Sequence, residues 1–267
     1  MPARQQSCPG YFPAAKSALC RGFAAPVATC YSYVVLLIII PLHFMGGSGF
    51  SESQSATYLM ALTSPMLVVP YFSALLTRWF SPAVVSASGL VLASAGLLFL
   101  GPALYGDSIT LLLFSMLITG AGAALPWGLM DGLAISSVPV EKAGMAAGLF
   151  NTVRVAVEGI ALAMVSAFLT EMNDLNLNET VNGFSPQGIH LAASWLGGGN
   201  IKQTIAILPG VPREVVHDRY DNAYSLLFHV LAAVTFVCAI IIWSMLGHKA
   251  HDSAMANTDS RDDHTEY

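Results

Sequence analysis

Six long apolar runs separated by polar interruptions dominate the chain. They cover approximately residues 27–45, 56–76, 83–105, 109–136, 144–170 and 222–247, and the first three and the last contain no Asp, Glu, Lys or Arg. A helix needs about 20 apolar residues to cross a hydrocarbon core of ~30 Å, so each run predicts one transmembrane span. A membrane barrel would alternate apolar and polar positions, whereas Val34 to Ile40 is continuously apolar. The fold expected is therefore an all-α membrane protein with six transmembrane helices. The interruptions differ in character. Gly46, Gly47 and Gly49 with Glu52 make a short turn, and Thr77 to Pro82 and Ser137 to Ala143 make two more. Residues 171–221 form one long polar segment. Within it Ser185 followed by Pro186 has the pattern of a helix cap and first helical residue, and Pro212 offers a second start that would extend the last helix outward.

Composition agrees with this pattern. Apolar residues make up 55% and charged residues 10%, against roughly a quarter charged in soluble domains, too few to cover a water-facing surface. The net charge of −5 and the lack of any long basic tract exclude a nucleic-acid partner. Cys8, Cys20, Cys30 and Cys238 have no metal-binding spacing and read as small apolar residues. The run at 27–45 is too long and bulky for a cleaved signal sequence and reads as the first span. Six spans put both termini on one side. With that side inside, it holds Arg4, Lys16, Arg21, Arg78, Lys142, Lys249 and Arg261, against Lys202, Arg213 and Arg219 outside. The bias of basic residues therefore predicts cytoplasmic termini and an outer 171–221 loop. The domain reading is a cytoplasmic segment 1–26, disordered or aberrant, a six-span bundle over 27–247, and a polar, disordered cytoplasmic tail over 248–267. The lipid bilayer is the partner this reading requires.

Charges inside the spans carry the functional signal. Arg154 lies about 15 Å into the fifth span at 1.5 Å per residue, near the bilayer midplane. A charge there costs at least about 2.5 kcal/mol and must face protein or a wet cavity. Glu158 follows at the spacing that puts both on one helix face. The two make either a structural ion pair or a site where a carboxylate trades protons or binds a cation. Asp131, late in the fourth span, reads as a headgroup-boundary residue or as part of a cation-attracting gate. His229 reads first as a packing residue of the last span, with proton handling as the alternative.

Small residues suggest how two spans meet. Gly128 and Gly132 precede the turn at Pro139 to Lys142, and Gly144 and Gly148 follow it, so close backbone packing of the fourth and fifth spans is expected there, or a flexing hinge. Pro65, Pro70 and Pro126 are expected to kink their spans. Tyr58, Trp127 and Phe150 are aromatic candidates for a cavity that holds a flat organic cation. No HExxH, Ser–His pairing or carboxylate cluster suggests an enzyme, and nothing calls for a cofactor or a metal.

The stretch Val138-Pro139-Val140-Glu141-Lys142-Ala143-Gly144-Met145-Ala146-Ala147-Gly148-Leu149-Phe150-Asn151-Thr152-Val153-Arg154 resembles the fourteen-span drug:proton antiporters of the major facilitator superfamily. The Gly-rich turn after Ile38, the two-proline span and the long loop before the last span resemble that family's C-terminal half, and the likeness is nearest to its quaternary-ammonium and methyl-viologen efflux members. It extends over roughly residues 21–250. Where the family often continues Gln-x-Gly-Gly after the arginine, this chain has Val155, Ala156, Val157 and Glu158, and the turn around Arg78 lacks the family's Gly and Asp. The resemblance implies the C-terminal bundle of a larger transporter, two inverted three-helix repeats, and proton-driven efflux of drugs or organic cations across a bacterial inner membrane. It implies coupling through Glu158, with Arg154 setting its proton affinity, and polar cavity contacts from Asn151. Transport would then require an N-terminal half-transporter or a second copy. Residues 1–20 fall outside the resemblance and read as a disrupted stretch of frame. The rival expectation is a non-transporting remnant or an accessory membrane subunit.

Overall fold

A computed structural model describes residues 33–47, 49–105, 108–136, 143–180 and 184–262, and every regular element among them is helical. The helices are α1 (Tyr33–Gly46), α2 (Glu52–Thr63), α3 (Pro65–Leu76), α4 (Pro82–Tyr105), α5 (Ile109–Ser136), α6 (Ala143–Thr180), α7 (Pro186–Gly197), α8 (Ile201–Ile207) and α9 (Arg213–Asp262). Five helical stretches are long and apolar enough to cross a bilayer: Glu52–Leu76, Val84–Leu104, Ile109–Leu129, Ala147–Glu179 and Arg213–Ser244. The protein is thus an all-α integral membrane protein. The described part of the first apolar run is the shorter helix α1, and residues 27–32 lie outside the described residues.

The helices begin and break where local chemistry requires. Ser51 caps α2, its Oγ accepting from the Gln54 amide while the Gln54 side chain accepts from the Ser51 amide. The second span is divided at Ser64, because Pro65 has no N–H to continue the α2 ladder and instead occupies the first position of α3. Pro102 and Pro126 by contrast lie within continuous helices. Ser185 caps α7 by accepting from the Gly188 amide, with Pro186 at the first helical position as its sequence implied. Helix α9 starts at Arg213, directly after Pro212, and continues to Asp262. The backbone is helical through 248–262, a stretch whose polar composition suggested a disordered tail, and 263–267 lie outside the described residues.

The core is built around α4, which packs along α5 and α9. Leu36, Leu97, Leu100, Met116, Tyr224 and Phe228 are fully or almost fully buried there. Glycines let the backbones approach. A side chain at Gly122 would collide with the Ala93 backbone, one at Gly96 with Thr119, and one at Gly120 with the Leu62 carbonyl. With lipid outside, such close packing replaces the hydrophobic drive that water supplies to soluble bundles. Ser94 Oγ adds a hydrogen bond across the seam, donating to the Ala232 carbonyl at 2.9 Å.

The close glycine contacts are not where the GxxxG pairs suggested. Gly128 faces α3, where Pro70 Cβ would lie 2.8 Å from an added methyl, and Gly144 and Gly148 have open space around them. Gly132 falls where side chains are not described, as does Lys142 with the turn before α6. The glycine seam joins the third and fourth apolar runs, not the fourth and fifth. Helix α6 is correspondingly peripheral: only 11% of its span is buried, against 61% for α4 and 50% for α5.

Candidate functional site

The buried stripe of α6 explains where its charges go. Phe150, Val165, Leu169, Asn173 and Leu177 are buried, and the half-buried Val153, Arg154, Val157, Glu158 and Ala161 continue the same face between them. Met145, Leu149, Ile160 and Met164 lie on the opposite, exposed side. The helical spacing read from sequence therefore places both charged residues on the face that meets the bundle.

Arg154 Nε lies 3.4 Å from Glu158 Oε1, with side chains 24% and 16% exposed. The expected ion pair is present. The Arg154 guanidinium carbon also lies 5.0 Å from the centre of the Trp127 ring of α5. A cation over an indole face is attracted by the ring quadrupole, most strongly where water is scarce. Trp127 in turn packs edge-on against Tyr33 of α1, with centroids 5.5 Å apart. Three helices thus supply one connected set: Tyr33, Trp127, Arg154 and Glu158.

Other sequence candidates distribute unevenly around it. Phe150 is buried one turn before Arg154, on the same stripe. Asn151 is exposed beside it. Tyr58 belongs to a different group, stacking with Phe50 at 5.4 Å and meeting Phe44 at 5.7 Å near the start of α2. The backbone of Asp131 is in α5, but its side chain lies outside the described residues. His229 Nδ1 is 2.7 Å from the Ser225 carbonyl one turn earlier in its own helix, and its ring borders Gly101 of α4. His229 is nevertheless exposed.

A second polar group was not foreseen. His43 of α1 is 3% exposed, and its Nε2 lies 3.0 Å from Asp221 Oδ1 of α9. Tyr220 stacks on the imidazole at 5.2 Å with planes only 14° apart, and Tyr224 tilts against it at 4.7 Å. The Tyr220 hydroxyl donates to the Leu42 carbonyl at 3.3 Å. Gly47 makes room for this ring, since an added methyl would lie 2.9 Å from Tyr220 Cε1. The pair spans 178 residues of sequence, and no local spacing relates His43 to Asp221. The one available signal was an ionisable residue near the end of each of two apolar runs. This group occupies the end of the bundle that carries α7 and α8, because Gly199, between those helices, sits against Gly46 and Leu42.

Compared with protein-family models, the chain matches none, and no curated protein matches it.

Proposed function

We propose that this chain is the six-span C-terminal bundle of a major-facilitator drug:proton antiporter, inserted with both termini cytoplasmic, and that it moves organic cations outward as protons enter. The observation that carries this reading is the Arg154–Glu158 pair beside Trp127, on the bundle-facing stripe of a helix that is otherwise mostly exposed. A guanidinium and a carboxylate deep in a span are expensive to keep and commonly mark an ion path. Here the carboxylate is paired with Arg154, and the Arg154 cation lies over Trp127. Protonating Glu158 would free Arg154 to rest on Trp127 alone, and a flat cationic drug could compete for the same aromatic face. Glu158 is then the coupling carboxylate, Arg154 its counter-charge, and Trp127 with Phe150 and Asn151 a wall of the substrate cavity. Tyr58 would be a further aromatic of the cavity, and Asp131 would attract cations at the cytoplasmic mouth. The thinly covered faces of α3 and α6, including Leu67 at 87% and Tyr71 at 75% exposure, would be closed in part by an N-terminal half-transporter or a second copy.

The test is extrusion of a fluorescent cationic dye by an efflux-deficient bacterial host expressing the chain alone or with an N-terminal bundle of the same family. Gradient-dependent extrusion is expected in one of these settings, and Glu158→Gln should abolish its dependence on pH. Absence of extrusion in both would overturn the reading in favour of a non-transporting accessory subunit or remnant.

A further inference from the structure

The His43–Asp221 pair is independent of the transport reading, and its geometry leaves one atom unanswered. With Asp221 ionised, the bond at 3.0 Å requires that Nε2 carry the hydrogen and donate it to the carboxylate. The other ring nitrogen, Nδ1, is then an acceptor. It is buried and, among the described residues, without a partner. A hydrogen there would make the ring a cation, held by Asp221 on one side, whose second N–H meets no acceptor among the described residues, which is costly in a buried setting.

We propose that His43 and Asp221 form a proton-binding site, and that a proton added at Nδ1 opens the contact between α1 and α9 at the end of the bundle that carries α7 and α8. The proton comes from water at that end, and the Nε2 hydrogen stays on its bond to Asp221. The new N–H would be satisfied by admitting water or by moving the imidazole off its stack with Tyr220. Either change separates α1 from α9, since the ring fills the space between them.

The groups around the site allow this role. From α9, Asp221, Tyr220 and Tyr224 face the imidazole, while Arg219 is half-buried and Asp218 exposed on the preceding turn. From α2, Tyr58 reaches it only through Phe44. The α7–α8 connection contributes backbone at Gly199, and its flanking His190 and Lys202 are exposed. Among the described residues, Asp221 is the one carboxylate paired with His43. Imidazole is the side chain whose charge ordinarily changes nearest neutral pH.

The experiment is a spin-label distance measurement on the full chain in lipid nanodiscs. Labels are placed at M45C and N222C, both at exposed positions, in a background where the four native cysteines are serine. Between about pH 8 and about pH 5.5 the parent should gain a population lengthened by about 2–5 Å, the scale of a helix shift. H43Q keeps a donor toward Asp221 but cannot be protonated in this range, and should keep the short distance throughout. D221N removes the anion that favours the charged ring in the closed pair, so its lengthening should be at least as large as the parent's, and this arm decides the matter if H43Q folds poorly. A parent distance insensitive to pH, lengthening that persists in folded H43Q, or a short distance throughout in D221N would overturn the proposal. Dye extrusion is not read, so failure here leaves the transport reading intact.

Discussion

Replacing Gly122 by alanine should loosen the bundle, while the same change at Gly148 should only favour the helix that carries it. A methyl at Gly122 of α5 would lie 2.6 Å from the Gly89 carbonyl oxygen and 2.7 Å from Ala93 Cα, both backbone atoms of α4. Carbon contacts are comfortable at about 3.5–4.0 Å, so the shortfall at Ala93 Cα is at least about 0.8 Å, and the Ala93 backbone nitrogen lies closer still. No rotamer can absorb it, since neither obstacle is a side chain, and the two helices must part. Overpacking of this kind costs about 1–3 kcal/mol. Gly148 of α6 has nothing within 4 Å of the same methyl, so there the substitution gains only the helix preference of alanine over glycine, about 0.5–1 kcal/mol. That preference applies at both sites and cancels in the comparison, so Gly122→Ala should be less stable than Gly148→Ala by about 1–3 kcal/mol, the packing term alone. Reversible unfolding in mixed micelles, followed by tryptophan fluorescence as the denaturing detergent fraction rises, measures the difference. If Gly122→Ala proved as stable as Gly148→Ala, the close approach of α4 and α5 described above would be wrong.

Two further outcomes are expected. In a double-mutant cycle on Arg154 and Glu158, each single glutamine replacement strands one charge in the span, whereas the double replacement strands none; the partial exposure of both side chains reduces the coupling to about 1–3 kcal/mol, and additive single changes in the same unfolding assay would refute the pairing. Ser185→Ala should destabilise the first turn of α7 by about 1 kcal/mol, seen as faster amide exchange at Gly188, whose N–H the serine oxygen accepts at 3.2 Å, and unchanged exchange there would show that the cap contributes nothing.

What could be read along the chain follows from how local each cause is. Apolar length is local, so Val84–Leu104 and Ile109–Leu129 fall within the runs read at 83–105 and 109–136. Capping and proline effects are local too, which is why Ser185, Pro186 and Pro212 marked real boundaries. The Arg154–Glu158 pair was legible because both partners share one helix face. Partner choice between helices is not local. Gly128 and Gly148 have the spacing of a packing motif, yet one meets Pro70 and the other meets nothing, since a small residue permits an approach without specifying what approaches. His43 and Asp221 were missed for the same reason: each alone resembles a polar residue near the end of a span, and only the fold brings them to 3.0 Å.

The two ionisable pairs differ in a way that bears on how such a bundle would work. Arg154 and Glu158 sit on one helix, so their attraction alone does not oppose movement of α6 as a body. What ties α6 there to the rest is Arg154 over Trp127, a contact of about 0.5–2 kcal/mol, together with a stripe that is only half-buried around it. His43 and Asp221 sit on different helices, so their bond directly resists separation of α1 from α9, and the stacked Tyr220 and tilted Tyr224 reinforce it. On the two proposals above, charge change at the first pair would alter what a cavity wall binds while leaving the fold standing, and charge change at the second would alter which helices stay together. The two responses rest on separate residues that can be mutated one at a time.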